Sequence, residues 1–206
     1  ADLDRLEATA GYRDEAPVMH EPFRQWVVED DFVDAARPDL AAVGAQLVGD
    51  VTPFEHMKLR MLNGTHSSLA YLGYLAGHET IADTVADPAF ADFLRGLWRH
   101  EIIPALTPPP GVDLGDYADA LLARYANPAI RHRTWQIAMD GSQKLPQRIL
   151  GTIAEARAAG GTVPGLTLAV AAWMRYVSGR DQSGQPIEVK DPMAARLAAL
   201  WRDDPA

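Results

Sequence analysis

Residues 52–77 read TPFEHMKLRMLNGTHSSLAYLGYLAG, and this stretch decides the fold. Thr52, Pro53 and Glu55 are typical of a helix start, because threonine caps, proline fits the first position and glutamate returns a hydrogen bond to the capping backbone. Gly77 is typical of a helix end. We therefore predict one helix of about 24 residues, roughly 36 Å long at about 1.5 Å per residue.

Three polar side chains interrupt the leucines of this helix: Lys58, Asn63 and His66. At about 100° per residue they fall near 0°, 140° and 80° of arc, so we expect them on one side. A buried lysine has a lowered pKa, which suits a general base near neutral pH. An amide and an imidazole about one turn apart can both hydrogen-bond one oxygen and stabilise negative charge on it.

The spacing alone also allows a purely structural interpretation of these residues. Lys58 can extend its amine to solvent along an apolar stem. Asn63 can interrupt the helix together with Gly64, and His66 can be a satisfied core histidine.

Composition excludes several classes of protein. The chain has 206 residues, of which 48% are hydrophobic, enough for one well-buried domain. A net charge of −9 argues against nucleic acid or an anionic membrane as a partner. There is no cysteine for a disulfide framework or a thiolate metal site, which fits a reducing cytoplasm. The histidines form no H-E-x-x-H pattern, so we expect no metal.

The remaining pattern predicts a mainly helical single domain spanning residues 1–206. No G-x-G-x-x-G follows a strand, and strands do not alternate with helices. Trp26–Val28 and Ala45–Val48 are expected to pair as a small antiparallel ribbon. Further helices are expected at 78–86, 88–106, 114–125, from Asn127 to Met139, from 142 to 159, at 165–178 buried on all sides, and from 192 onward.

A second group of polar residues gathers at the start of the helix predicted from Ser142. Helix N-termini favour anions, so these residues indicate a natural anion site. Each nearby arginine, taken singly, is equally compatible with a solvated surface. The residues at the helix start are Asp140, Ser142, Gln143 and Lys144, and the nearby cationic side chains are Arg131, His132, Arg133 and Arg148.

The motif K58-LRML-N63-GT-H66 resembles the signature of the polyol-specific long-chain dehydrogenases, the mannitol dehydrogenase family. Two more blocks resemble that family, HEPFRQWVVEDDF (20–32) and NPAIRHRTWQIAMDGSQKLPQR (127–148). The second is most similar to the fructuronate reductase (mannonate oxidoreductase) branch. Mannitol-type members tend to have an arginine where Gln136 stands.

The resemblance implies a multi-helical C-terminal domain like that of 6-phosphogluconate dehydrogenase, with a minor β ribbon. It also implies a partner, the family's own N-terminal Rossmann domain, which carries NAD or NADP and is missing from this sequence. The implied chemistry is metal-independent. The implied catalytic residues are Lys58, Asn63 and His66, and the implied substrate-binding residues are Lys144, Arg133, His132 and Gln136.

The expected activity is interconversion of a secondary alcohol and a ketone, with a sugar acid of the mannonate/fructuronate type as substrate. Oxidation of mannitol or another polyol is the alternative. An alternative of another class is a helical interaction module without catalysis. These alternatives stay open at the level of sequence.

Overall fold

The computed structural model describes residues 2–18 and 23–203, so residues 20–22 of the block at 20–32 lie outside the described part. The fold is mainly helical with one small sheet, as predicted. The described α-helices are α1 Asp2–Ala10, α2 Thr52–Met57, α3 Thr65–Leu75, α4 Ile81–Ala86, α5 Pro88–Leu97, α6 Leu114–Tyr125, α7 Thr134–Ile137, α8 Gly141–Leu145, α9 Gly151–Ala158, α10 Pro164–Val177 and α11 Ala194–Asp203.

Three π-helical segments continue α-helices without a break. They are π1 Lys58–Gly64, between α2 and α3, π2 Trp98–Ile102, after α5, and π3 Pro146–Leu150, between α8 and α9. Together α2, π1 and α3 form one continuous helix over 52–75, which we call the central helix. Short 3-10 turns lie at Val33–Ala35, Ala41–Val43 and Ile103–Ala105.

The central helix begins and ends close to the predicted positions, but the residue that caps its start differs from the prediction. Thr52 is its first residue and does not cap it; the carboxylate of Asp50 accepts a 2.8 Å bond from the Thr52 amide instead. At the other end Gly77 has a φ of +88°, which only glycine adopts freely. The predicted stop at Gly77 is confirmed.

The core surrounds the central helix. Met61 and Leu69 are fully buried in it, and α10 and π3 pack along its sides. The largest fully buried side chains are Trp98, Tyr71, Tyr176, Met57, Met61, Leu69, Ile81, Leu94, Leu97, Ile102, Leu121 and Leu145. They come from α2 to α10, so one continuous core holds the helices that carry the polar motif.

The small sheet is parallel, and the predicted antiparallel pairing is wrong. Strand β1 Val27–Glu29 pairs with β2 Gln46–Val48, with Val28 opposite Leu47. Antiparallel pairing suits a short hairpin, whereas parallel strands need a crossover of about a dozen residues or more. The segment 30–45 supplies that length, and its two 3-10 turns bring the chain back in the same direction.

The helix predicted from Asn127 to Met139 shortens to α7 Thr134–Ile137. The backbone of the preceding loop is already committed: His132 accepts a 2.9 Å bond from the Ile81 amide, and Arg133 forms an antiparallel bridge with Thr80. An extended backbone paired in this way cannot also form helical turns. The bridge fixes this loop against the start of α4, close to the central helix.

Helix α10 is not buried on all sides, contrary to the prediction. Leu166, Ala169 and Ala172 are buried, but Leu168 and Met174 are 50% and 44% exposed. The sequence of α10 is apolar around its circumference, so composition could not distinguish its buried face. None of the described helices has both the length and the apolar character needed to cross a membrane.

Candidate active site

The π segment sets the geometry of the motif. In a π-helix the backbone bonds join residues five apart, whereas in an α-helix they join residues four apart. Lys58 and Asn63 are five apart and both lie in π1. They are therefore separated by one π turn and share a face more closely than the α-helical arc of about 140° allows. His66 follows one turn later in α3.

The three side chains differ in exposure. The Lys58 side chain is exposed, and those of Asn63 and His66 are partly buried. The lysine thus reaches solvent from the end of the motif, and the imidazole lies deepest. Within the described residues no hydrogen bond involves the Asn63 carboxamide, whose side chain is partly buried.

His66 has the most unusual environment of the three. Its Nε2 atom is buried and has no hydrogen-bond partner in the described structure. Its ring stacks on Tyr125 at 5.4 Å between centroids and lies 5.3 Å from the ring of His132. Burial, with the charges of His132 and Arg148 next in importance, lowers the pKa of His66 to about 3. The imidazole is therefore neutral near neutral pH.

A small cleft of about 50 Å³ opens beside this ring. Arg124 and His132 place cationic or protonatable groups at its wall. Its lining residues are Leu62, His66, Ile81, Arg124, Tyr125, Ile130 and His132. Of the predicted site residues this cleft brings together His66 and His132, while Lys58, Asn63 and Lys144 do not line it.

Lys144 is held in place by its neighbours. Its Nζ donates a 2.6 Å bond to the Met139 carbonyl and lies 3.8 Å from the Asp140 carboxylate. Burial, followed by the charge of Arg148, lowers the pKa of Lys144. The same guanidinium also donates to Ser67 of the central helix at 3.1 Å, which links π3 to α3.

The predicted anion site at the start of α8 is already filled by the chain. The Asp191 carboxylate accepts bonds from the Ser142 amide at 2.8 Å and from its hydroxyl at 2.6 Å. The positive end of this short helix is thereby neutralised from within. The sequence indicated an anion site at this helix start, and the anion that the structure places there is the carboxylate of Asp191, distant in sequence.

Arg133 and Gln136 lie apart from the His66 cleft. The Arg133 guanidinium is 3.8 Å from Glu79 and lines a separate cavity of about 550 Å³ beside Trp135 and Asp181. Gln136 is exposed on α7. The loop that precedes α7 therefore brings His132 beside His66 and Arg133 beside the neighbouring cavity.

Sequence reasoning missed Tyr125 and Arg124 at this site. No spacing signal distinguishes a tyrosine that packs in the core from one that stacks on the imidazole of a candidate site residue. Both residues reach the cleft because α6 packs against the central helix, a contact between segments distant in sequence.

Residues 50–204 match the family model described as the mannitol dehydrogenase C-terminal domain. The chain belongs to this mannitol dehydrogenase family. It is 55% identical over 198 residues to the D-mannonate oxidoreductase of Escherichia coli (strain K12), covering 96% of this chain and 40% of that protein. It is 41% identical to the mannitol 2-dehydrogenase of Phaeosphaeria nodorum, covering 98% of this chain and 36% of that protein.

A solved structure of the family has the same fold. Pseudomonas fluorescens mannitol 2-dehydrogenase, in a ternary complex with NAD and D-mannitol, matches with a TM-score of 0.90 and 39% identity. The match covers 99% of this chain and 41% of that one. The chain thus spans about 40% of the length of these mannitol dehydrogenase relatives, and α1 and both strands precede the range matched by the C-terminal domain.

Proposed function

We propose that this chain is the substrate-binding and catalytic C-terminal part of an NAD(P)-dependent oxidoreductase that interconverts a secondary alcohol and a ketone. The observation that carries the proposal is the buried Nε2 of His66, which has no partner among the described residues, in a member of the mannitol dehydrogenase family. His66 lies one turn after Asn63 and about two turns after Lys58 on the central helix. A buried polar atom without a partner is costly, and such atoms mark functional positions.

In the proposed mechanism Lys58 moves the proton. During oxidation its neutral amine accepts the proton of the substrate hydroxyl, and during reduction its ammonium returns a proton to the forming alkoxide. The exposure of Lys58 in this chain places the amine where a substrate can reach it.

Asn63 and His66 hold the reacting oxygen. The carboxamide of Asn63 carries two N–H donors, and a neutral imidazole with its hydrogen on Nε2 donates one bond. Because burial keeps His66 neutral, it acts as a donor and does not compete with Lys58 for the proton. Two fixed donors aimed at one oxygen stabilise the negative charge that develops on it.

The substrate we propose is a sugar acid of the mannonate/fructuronate type. Support comes from the higher identity to a D-mannonate oxidoreductase than to a mannitol 2-dehydrogenase, and from the cationic side chains around the motif. We assign carboxylate and hydroxyl binding to Lys144 and His132. Arg133 and Gln136 are assigned to the outer wall, because they lie beyond the His66 cleft.

The described residues do not form a site for a dinucleotide. Pyrophosphate binding needs a glycine-rich turn from a strand into a helix, and neither strand here leads into such a turn. We therefore assign NAD or NADP to a Rossmann-type domain in the portion of the intact enzyme that this chain does not span. No group of three or more acidic or histidine side chains that could hold a metal occurs among the described residues.

Two other functions remain as alternatives. Oxidation of mannitol or a related polyol is favoured by the fold similarity to the mannitol 2-dehydrogenase complex. A helical interaction module without catalysis is favoured by the exposed apolar side chains of α10. The first alternative has a different substrate and the same dehydrogenase chemistry, whereas the second has no catalysis.

An assay of the intact reading frame separates these functions. D-fructuronate with NADH and with NADPH, D-mannonate with NAD and with NADP, and D-mannitol with each oxidised nucleotide form a sufficient panel. We expect turnover of the fructuronate–mannonate pair at a kcat/KM at least about tenfold above that of mannitol. Preference for mannitol would select the polyol function, and no turnover of any pair would support the interaction module.

A further inference from the structure

Two carbonyl groups near the end of π1, those of Met61 and Leu62, accept hydrogen bonds from side chains outside it. At the end of π1 the backbone bonds change from spanning five residues to spanning four, and the Thr65 amide donates to the Leu62 carbonyl. The Met61 carbonyl accepts from the Trp98 indole at 3.0 Å and from the Thr65 hydroxyl at 2.5 Å. The Leu62 carbonyl accepts from the Tyr125 hydroxyl at 2.7 Å.

Tyr125 connects this junction to His66. Its side chain is almost fully buried on α6, and its hydroxyl also lies 2.9 Å from that of Thr65. The face of the same ring stacks on the His66 imidazole at 5.4 Å with an angle of 24° between the planes. Burial raises the pKa of this phenol, so it keeps the proton that it donates to Leu62.

We propose that Tyr125 is a positioning residue that fixes the π1 junction with its hydroxyl and the His66 ring with its face. Since Lys58 and Asn63 depend on the π turn for their shared face, one side chain sets the relative placement of all three. This inference rests on the function proposed above for these three residues. A register without the π turn would move Lys58 away from Asn63 around the helix.

The test compares Tyr125→Phe with Tyr117→Phe in the intact enzyme. Tyr125→Phe removes the bond to Leu62 and keeps the ring on His66. Tyr117 is a partly buried tyrosine on the same helix with no described hydrogen bond, so Tyr117→Phe is a matched control. The readouts are hydrogen–deuterium exchange of peptides covering 58–66 and steady-state kinetics.

We expect Tyr125→Phe to speed hydrogen–deuterium exchange in residues 58–66 by about three- to tenfold, because the loss of one hydrogen bond makes local opening easier. We expect kcat to fall by about ten- to a hundredfold with KM within about twofold, because misplaced reacting groups slow the chemical step. If Tyr125 had a purely structural role, Tyr125→Phe would lower the melting temperature. In that case kcat, measured far below the melting temperature, would stay at the wild-type value. Tyr117→Phe should leave both readouts unchanged.

The outcomes separate this inference from the proposed function. Unchanged exchange, or faster exchange with wild-type kcat, overturns the positioning role. If the intact wild-type protein has no dehydrogenase activity, the proposed function fails, and exchange alone decides whether Tyr125 holds the junction. If Tyr125→Phe does not fold, Thr65→Val carries the same test, because it removes the bond to Met61 at the same junction.

Discussion

At the scale of single residues, the proposed mechanism assigns proton transfer to Lys58 and hydrogen-bond donation to a neutral His66. Lys58 is exposed and His66 is enclosed between Tyr125 and His132. A cationic neighbourhood further disfavours a proton on the imidazole. The division of roles therefore follows from the two environments and makes separate predictions for each residue.

For Lys58 we predict a loss of turnover. Lys58→Ala in the intact enzyme should lower kcat by about 10² to 10⁴, the range for one general acid–base group. Asn63→Ala should lower kcat by a factor of about 10² to 10³, the usual loss for removing one donor to a developing oxyanion. Lys190→Ala serves as the control, because Lys190 lies over Trp135 outside the cleft. Near wild-type kcat for Lys58→Ala at all pH values would refute the base assignment.

For His66 we predict a pH-dependent contribution to stability. In the unfolded chain the imidazole binds a proton below its ordinary pKa of 6.5, whereas in the folded chain its pKa is about 3. The contribution of a neutral His66 to the free energy of unfolding is therefore fully present above pH 6.5. It is lost as the pH falls from 6.5 toward 3, at about 1.4 kcal/mol per pH unit.

His66→Phe should abolish this slope in urea unfolding between about pH 7 and pH 5. The exposed His100 supplies the control His100→Gln, which should keep the wild-type slope. Equal slopes for wild type and His66→Phe would show that folding does not lower the pKa of His66.

At the scale of elements, the packing of π1 against π3 depends on a glycine. A Cβ added at Gly64 would lie 2.6 Å from the backbone carbonyl oxygen of Arg148, an atom that cannot move without moving π3. Gly96, in α5, has no atom within 4 Å of such a Cβ. An alanine is therefore expected to destabilise the fold at position 64 and to be accommodated at position 96, so the two substitutions can be compared directly.

Gly64→Ala should lower the free energy of unfolding by about 1 to 3 kcal/mol through overpacking. Gly96→Ala should raise it by about 0.4 to 1 kcal/mol, since alanine loses less backbone entropy and favours the helix. Urea titration of both variants measures the difference. A neutral effect of Gly64→Ala would mean that π1 and π3 separate at little cost.

The boundaries of the central helix were predictable because they depend on local chemistry, such as Pro53 at its start and Gly77 at its end. The π turn was not, because its carbonyls are held by Trp98 and Tyr125, side chains distant in sequence. The same reason explains the filled N-terminus of α8, where Asp191 is the partner. The motif was found through its resemblance to a family, since spacing alone left a structural interpretation open.

At the scale of the whole molecule, the chain neutralises its own helix N-termini. The buried Glu101 carboxylate accepts from the Gly165 amide at 2.7 Å and from that of Leu166 at 2.8 Å, at the start of α10. Carboxylates fill other helix starts in the same way, namely Asp50 at α2, Asp87 at α5, Asp113 at α6 and Asp191 at α8. These are the positions where a phosphate group would otherwise bind.

We therefore predict that the 206-residue chain alone binds NADH and NADPH weakly or not at all. Carboxylates occupy the N-termini of α2, α5, α6, α8 and α10. The sequence has no G-x-G-x-x-G turn after a strand, and its net charge of −9 repels an anionic dinucleotide. Calorimetric titration with each nucleotide checks this, with the intact enzyme as the positive control. Micromolar binding to the chain alone would place the nucleotide site within these residues, and the assignment of the cofactor to the portion outside this chain would have to be abandoned.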